Sequence, residues 1–199
     1  MRKYSFRKNI DELKNYYKEV FSFISKSKKY IFTIIFLFLI STFLGFFAKI
    51  SSELKAVLLQ KLQELFLIFN GLNVCQTIWM IFSNNIYVAF LSIVLGVFFG
   101  FFPVFFALSN GFIIGYVMKM SVESEGFFVL WKLFPHGIFE LPAIFISMAL
   151  GLQFGMCILF NRKNIKDKFK KTGKTFLLIV VPLLIIASII EGVLIFAFK

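Results

Sequence analysis

Long uncharged apolar segments alternate with short charged segments along this chain. The clearest two are residues 30–48, which carry no charge, and residues 175–198, in which Glu191 is the single charged residue. An α-helix crosses the ~30 Å hydrocarbon core of a bilayer with about 20 apolar residues. The pattern therefore predicts transmembrane helices over 30–48 and 175–198.

Residues 86–118 form an apolar run that is too long for one span, since at 1.5 Å per residue it would reach ~50 Å. Pro103 lies near its middle, where a proline interrupts the hydrogen bonds of a helix. We predict two spans, 86–102 and 104–118, which meet in a tight cytoplasmic turn. A re-entrant pair of half-helices is the alternative that the pattern leaves open.

A further span is predicted over 138–160, and it follows the sequence WKLFPHG. Pro135 and Gly137 predict a helix break there, and Pro142 fits an early position of the restarted helix. Irregular backbone at membrane depth is stable only where protein or water covers it. The predicted fold class is therefore all-α: a polytopic transmembrane helical protein of about five spans, with a broken or re-entrant segment at the Pro-His-Gly motif.

Two amphipathic segments lie on either side of the first span. Residues 1–29 place apolar side chains at spacings of three and four and hold nine of the 22 Lys and Arg residues. Residues 52–69 show a similar apolar stripe with near-balanced charge, which suits the outer face of the membrane. We predict a cytoplasmic basic amphipathic helix over 1–29, followed by a single transmembrane domain over 30–199 that includes the helix at 52–69.

Composition and charge agree with a membrane protein. The chain is 59% hydrophobic and 20% aromatic, well above the roughly 45–50% apolar content of soluble domains. Its net charge of +12 is concentrated in residues 1–29 and 162–174, which adjoin predicted spans. Short basic loops stay in the cytoplasm, so we expect a multi-pass protein of the cell membrane with a cytoplasmic amino terminus. The same placement favours contact with anionic membrane lipids and excludes a nucleic-acid-binding role.

Small residues recur every four positions in three of the predicted spans. In lipid, such ridges let helix backbones approach closely, which the hydrophobic effect cannot achieve there. They serve either folding within one chain or, through a spare ridge, a homodimer. The ridge glycines are Gly96, Gly100, Gly111, Gly115, Gly151 and Gly155.

Polar residues inside the spans are candidates for function, because ionisable groups are costly in hydrocarbon. His136 and Glu140 would share a helix face and can interact. Three roles remain open for them: fixing the kink, forming a protonatable pair in a small proton-coupled transporter or lipid-binding protein, or contacting the membrane segment of a partner. Asn84, Asn85 and Asn110 complete the predicted polar core.

The candidate chemistry does not favour an enzyme. The His-x-x-x-Glu spacing is not the His-Glu-x-x-His motif of zinc peptidases, and a lone histidine without further ligands does not make a usual metal site. Ser109 lacks the preceding glycine and the orienting acid of a serine hydrolase. No phosphate-binding glycine loop occurs in the sequence. We therefore expect a non-enzyme with no cofactor and no metal.

Three stretches of the sequence resemble the stage II sporulation protein M family. They are FSNNIYVAFLSIVLGVFFG (82–100), LSNGFIIGYV (108–117) and FPHGIFELPAIFISMALGLQFG (134–155). The last is the most specific, with Pro-His-Gly, two residues, Glu-Leu, and then spaced small residues. The positions that match those shared by the family are Asn84, Asn85, Asn110, Gly111, Pro135, His136, Gly137 and Glu140.

The resemblance implies a multi-spanning membrane protein without known catalytic activity. In spore-forming bacteria the family member acts in engulfment and recruits a membrane-anchored peptidoglycan-degrading complex; other members occur in organisms that do not sporulate. We therefore expect a scaffold for membrane remodelling or envelope assembly. Its expected partners are membrane lipids, a second copy in a homodimer, and another membrane protein or cell-envelope complex.

Overall fold

The computed structural model describes residues 2–128, 134–160 and 162–197, and every regular element in them is helical. Five helices are long and apolar enough to cross a membrane, which confirms the predicted all-α fold with about five transmembrane spans. The helices are α1 (Arg2–Lys26), α2 (Lys28–Phe47), α3 (Ser52–Gly71), α4 (Val74–Val94), α5 (Phe101–Glu125), α6 (Phe134–Phe160), α7 (Ile165–Thr175) and α8 (Val181–Ala197); a π-helical turn, Phe176–Val180, joins the last two.

The turn between the second and third spans lies before Pro103, so the predicted boundaries 86–102 and 104–118 are wrong. The spans are Val74–Val97 and Phe101–Glu125, and the chain reverses at Gly100, whose φ of 78° is one that glycine adopts without strain. Pro103 belongs to the first turn of α5 and is buried. The first-turn N–H groups have no acceptor within the helix, so a proline there begins a helix instead of interrupting one.

The predicted break at the Pro-His-Gly motif is also corrected. The helix α6 runs without interruption from Phe134 to Phe160, so Pro135 and Gly137 lie in its first turn, and the restart of the helix at 138 is wrong. The predicted half-span before the motif falls in 129–133, outside the described residues. Pro142 lies inside this helix with its ring exposed, and there it costs one backbone hydrogen bond without a clash against a neighbouring helix. The span is therefore continuous.

The helix α6 is the centre of the bundle. Its span is 56% buried, whereas each of the other four spans is 22–28% buried. One side of α6 packs on the pair formed by α2 and α5, and another side packs on the pair formed by α4 and α8. The other spans therefore surround α6 and leave parts of their own surfaces for lipid.

Glycines allow the backbones of these helices to touch. A methyl group at Gly96 would overlap the backbone of Gly151, and one at Gly155 would overlap the turn at Gly100. Between α2 and α5, methyl groups at Gly111 and Gly115 would overlap the backbone of α2. All six ridge glycines thus face another helix of the same chain, and none of the six is left as a spare ridge for a second copy.

The two basic segments lie at the same end of the bundle. Lys174 at the end of α7 forms an ion pair of 2.6 Å with Glu19 of α1. At the junction of α1 and α2, the hydroxyl of Ser27 is fully buried and lies 2.8 Å from Oε1 of Gln153 in α6. Because the spans alternate in direction, α3 lies at the opposite end.

Candidate functional site

Three polar side chains lie on membrane-spanning helices on the side where α4 and α5 flank α6. They are Asn84 on α4, Asn110 on α5 and Glu140 on α6. Asn84 and Asn110 are exposed, and Glu140 is partly exposed. We call this surface the polar groove; the predicted polar core is corrected accordingly, since these two amides are not in its interior.

The position of Glu140 follows from the contacts of Gly151 on the same helix. A Cβ at Gly151 would meet the backbone of Ser92 on α4 and, at 2.9 Å, the ring of Pro103 on α5. Gly151 therefore points at the space between those two helices. Glu140 lies about three turns earlier in α6 and so on the same face, where α6 forms the floor of the polar groove.

Asn110 belongs to the wall that α5 provides. It lies about two turns after Pro103, on the same face of α5, and Pro103 is the residue that contacts α6. The helix α2 packs on a different face of α5, where the hydroxyl of Ser41 donates a hydrogen bond of 2.5 Å to the carbonyl of Leu108. Asn110 therefore lies on the α6 side of α5, away from the contact with α2.

Asn84 belongs to the wall that α4 provides. Phe90 on this helix packs against Phe176 at the start of the last span. Asn84 lies about 120° away from Phe90 around the helix axis, so it is on a different face of α4. The neighbouring residue Asn85 is only 8% exposed and lies about two turns before Ser92, on the face of α4 that contacts α6. Of the two adjacent amides, one is therefore interior and the other is on the groove surface.

Both exposed amides lie near mid-membrane depth. At 1.5 Å per residue, Asn110 is about 14 Å from the start of α5, and Asn84 is about 15 Å from the start of α4 at the opposite end of the bundle, so Asn84 lies several ångströms nearer the α3 end. Half of a ~30 Å hydrocarbon core is ~15 Å. Hydrocarbon offers no hydrogen bonds, so a polar atom at this depth that lacks a protein partner is destabilising.

Hydrogen bonding in the groove is incomplete. Asn110 donates from Nδ2 to the carbonyl of Phe106 at 2.8 Å, and within the described residues its Oδ1 receives no hydrogen bond. Asn84 makes a long contact of 3.4 Å from its Nδ2 to Oδ1 of Asn85. Ser147, one turn from Gly151, is fully buried and its hydroxyl has no partner within the described part of the chain. The two exposed amides therefore have hydrogen-bonding capacity that the described residues do not fill.

The other predicted site residues have separate outcomes. The side chains of Pro135 and His136 lie outside the described residues. Among the described residues, no group of three His, Cys, Asp or Glu side chains is placed to hold a metal ion. Ser147 was not predicted as a polar site residue; its place in the small-residue ridge of α6 was the signal for its burial, but not for its unpaired hydroxyl.

Comparisons with known proteins agree with this architecture. A family model described as Stage II sporulation protein M matches residues 34–194, which include three of the five spans in full and most of the first and the last. An uncharacterized protein of Methanocaldococcus jannaschii is 29% identical over 207 residues, covering 94% of this chain and 92% of that protein. No solved structure matches the chain. The family match and the five apolar helices make this an integral membrane protein, and the chain belongs to the stage II sporulation protein M family.

Proposed function

We propose that this protein is a non-enzymatic scaffold of the cell membrane that acts in membrane remodelling or envelope assembly. The observation that carries the proposal is the contrast between a closely packed bundle and two amphipathic helices at its opposite ends. A rigid body that presents one helix to each membrane surface suits the positioning of membrane and partner proteins. The amino terminus is proposed to be cytoplasmic, because both basic segments lie at the end of the bundle that carries α1 and α7.

The helix α3 is the clearest support for this role. It is about 30 Å long, and it does not pack along any other helix within the described residues. Its apolar side chains are exposed, with Leu54 47% and Leu67 70% accessible. Short connections tie both of its ends to membrane spans, so it lies at the membrane surface. An amphipathic helix in that position inserts its apolar face at the boundary between headgroups and acyl chains, or binds a partner there.

Capping hydrogen bonds define where α3 begins and where the next helix begins after it. The hydroxyl of Ser51 accepts a hydrogen bond of 3.3 Å from the backbone N–H of Leu54. At the other end, Asn73 and Gln76 form a capping box at the start of α4, with bonds of 2.9 and 3.0 Å. The boundaries of α3 are therefore defined on both sides.

The opposite surface is basic and suits anionic lipid. Lys174 lies between Glu19 and the ring of Tyr16, at 4.7 Å from the ring centroid, and this holds α1 against α7. The hydrogen bond from Lys174 also lowers the pKa of Glu19 below its usual value. Exposed lysines of α7 remain available for lipid headgroups.

Family membership supports the envelope role and leaves the pathway to experiment. The family is named for sporulation, whereas the name of the archaeal relative mentions no such process. We therefore propose the membrane-organising role, with another membrane protein or an envelope complex as partner, and not a fixed place in sporulation.

The test is complementation in cells that lack the gene. Wild type should restore envelope shape, as seen by electron cryotomography, and a variant with Leu59→Ser and Leu62→Ser in α3 should fail although it inserts at the same level. The matched control is Lys61→Ser in the same helix, which should restore shape. Glu140→Gln should also restore shape, since a scaffold needs no proton transfer. Deletion without any change in envelope shape would contradict the proposal, and so would a well-expressed Glu140→Gln protein that fails.

A further inference from the structure

We propose that one face of α7 binds the phosphate of an anionic lipid, with Lys166 and Lys170 as the two cationic groups that hold it. The inference rests on the proposed role of the basic surface and deepens it, because it names a defined site and its ligand. A diffuse attraction of the whole basic end for the membrane would depend on neither of these two lysines in particular.

The first step is that two lysines, an aromatic ring and a glycine share one face of α7. Residues three and four apart on a helix lie on the same side of it. The four residues at these spacings are Lys166, Phe169, Lys170 and Gly173, and all four are exposed. Thr172 and Thr175, on another face of the helix, are buried. The four-residue face is therefore open over about two turns.

The second step is that this face lies at the level of the membrane boundary. The ring centroid of Phe169 is 6.0 Å from that of Phe154 on α6. Phe154 lies about 9 Å before the end of its span, which ends at Phe160. Phe169 is nevertheless 65% exposed, as are aromatic side chains of helices that lie between headgroups and acyl chains. The lysines beside Phe169 are therefore at headgroup depth.

The third step is that the two exposed lysines have no carboxylate partner. The acidic residues closest to this surface bind other lysines. Asp167 pairs with Lys171 at 2.7 Å. Glu19 pairs with Lys174 at 2.6 Å. In the described part of the chain, neither of the two exposed lysines forms an ion pair, so their charges are available to a ligand of opposite sign.

The fourth step is that the geometry fits one lipid phosphate. Side chains one turn apart have Cβ atoms about 5–6 Å apart, so Lys166 and Lys170 can both donate to oxygens of the same phosphate. On the membrane side of Lys170, an added Cβ at Gly173 would have no atom within 4 Å. That space is open to the glycerol and acyl chains that follow the phosphate. A lipid therefore fits this place better than a soluble anion does.

The experiment uses the full chain in phosphatidylcholine nanodiscs to which phosphatidylglycerol is added in steps. Native mass spectrometry counts the phosphatidylglycerol molecules retained per protein and gives an apparent dissociation constant. Wild type should retain phosphatidylglycerol in preference to phosphatidylcholine. Lys170→Gln should raise the dissociation constant about fivefold, and the double variant Lys166→Gln/Lys170→Gln should raise it on the order of thirtyfold.

The matched control is Lys168→Gln. Lys168 lies between the two lysines in sequence and carries the same charge, but residues two apart on a helix do not share a face. Lys168 is also only partly exposed. Its substitution should leave the dissociation constant near the wild-type value. Helicity and thermal unfolding of each variant check that the fold is intact.

Four results would contradict the proposal. One is equal retention of phosphatidylglycerol and phosphatidylcholine by wild type, and another is an unchanged dissociation constant in the double variant. Equal losses for Lys168→Gln and Lys170→Gln would show a diffuse attraction. Displacement of the lipid by inorganic phosphate at constant ionic strength would show a site for a soluble anion. None of these results bears on whether α3 is needed for envelope shape, so the two proposals can fail separately.

Discussion

The same three helices meet in two different ways at two depths. At the Gly96–Gly151 contact, the end of the span Val74–Val97 and α6 approach so closely that a methyl group would overlap backbone. Toward the α3 end, Asn84, Asn110 and Glu140 lie on helix faces that remain accessible. Small side chains therefore hold the helices together within the chain, and polar ones lie where the helices separate. The contrast indicates that the glycine contact fixes the fold.

The largest expected effect tests the glycine contact. Gly151→Leu should abolish stable expression, because the new side chain meets the backbone of Ser92 and neither helix can yield without losing its other contacts. We expect a loss of more than about 3 kcal/mol, at the upper end for overpacked cores. The measurement is the yield of monodisperse protein in mild detergent. Gly173→Leu is the control, since no atom lies within 4 Å of a Cβ there, and a well-folded Gly151→Leu protein would refute close contact.

The second largest effect is expected from leucine substitutions at the adjacent residues Asn84 and Asn85. It tests which of the two side chains lies in the interior of the bundle. Asn85→Leu should destabilise the fold by about 1–3 kcal/mol, because a larger apolar side chain enters a tightly packed face of α4. Asn84→Leu should change stability by no more than about 0.5 kcal/mol, as is usual for exposed positions. Thermal unfolding of the monomer in detergent distinguishes them. Equal losses would mean that Asn84 also lies in the interior.

These residues also show what could be predicted from sequence. Apolar length predicted five spans, because the bilayer sets that length for any helix. Apolar length could not place the reversal between the second and third spans. A proline can lie either in the first turn of a helix or at a break in one, and Pro103 lies in the first turn of α5. Four-residue spacing placed the glycines on one face, but only the folded chain shows which helix that face meets. Adjacent amides differ in burial because of neighbouring helices, so no local pattern distinguishes Asn84 from Asn85.

A smaller effect is expected at the buried polar contact between α1 and α6. Ser27 donates to the carbonyl of Phe23 at 2.8 Å, and its oxygen also lies against the side-chain amide of Gln153. Ser27→Ala should cost about 1–2 kcal/mol, because the buried amide loses a partner. The thermal unfolding temperature should be lower for Ser27→Ala than for wild type. Ser25→Ala, at an exposed position in α1, serves as the control and should leave that temperature unchanged. No difference between the two would mean that water or another group replaces the serine.

The smallest expected effect concerns the ion pair at the basic end of the bundle. The hydrogen bond from Lys174 lowers the pKa of Glu19 from its usual value of 4.5, so the folded state favours the ionised carboxyl. The stability this gives is present above pH 4.5 and is lost as the pH falls through the lowered value. Cleavage of α1 by an acid-active protease should therefore rise more steeply with falling pH in wild type than in Glu19→Gln. Because the pair is partly solvated, the difference should be small, and identical profiles would show that the contact between α1 and α7 depends on Ser27 and apolar side chains alone.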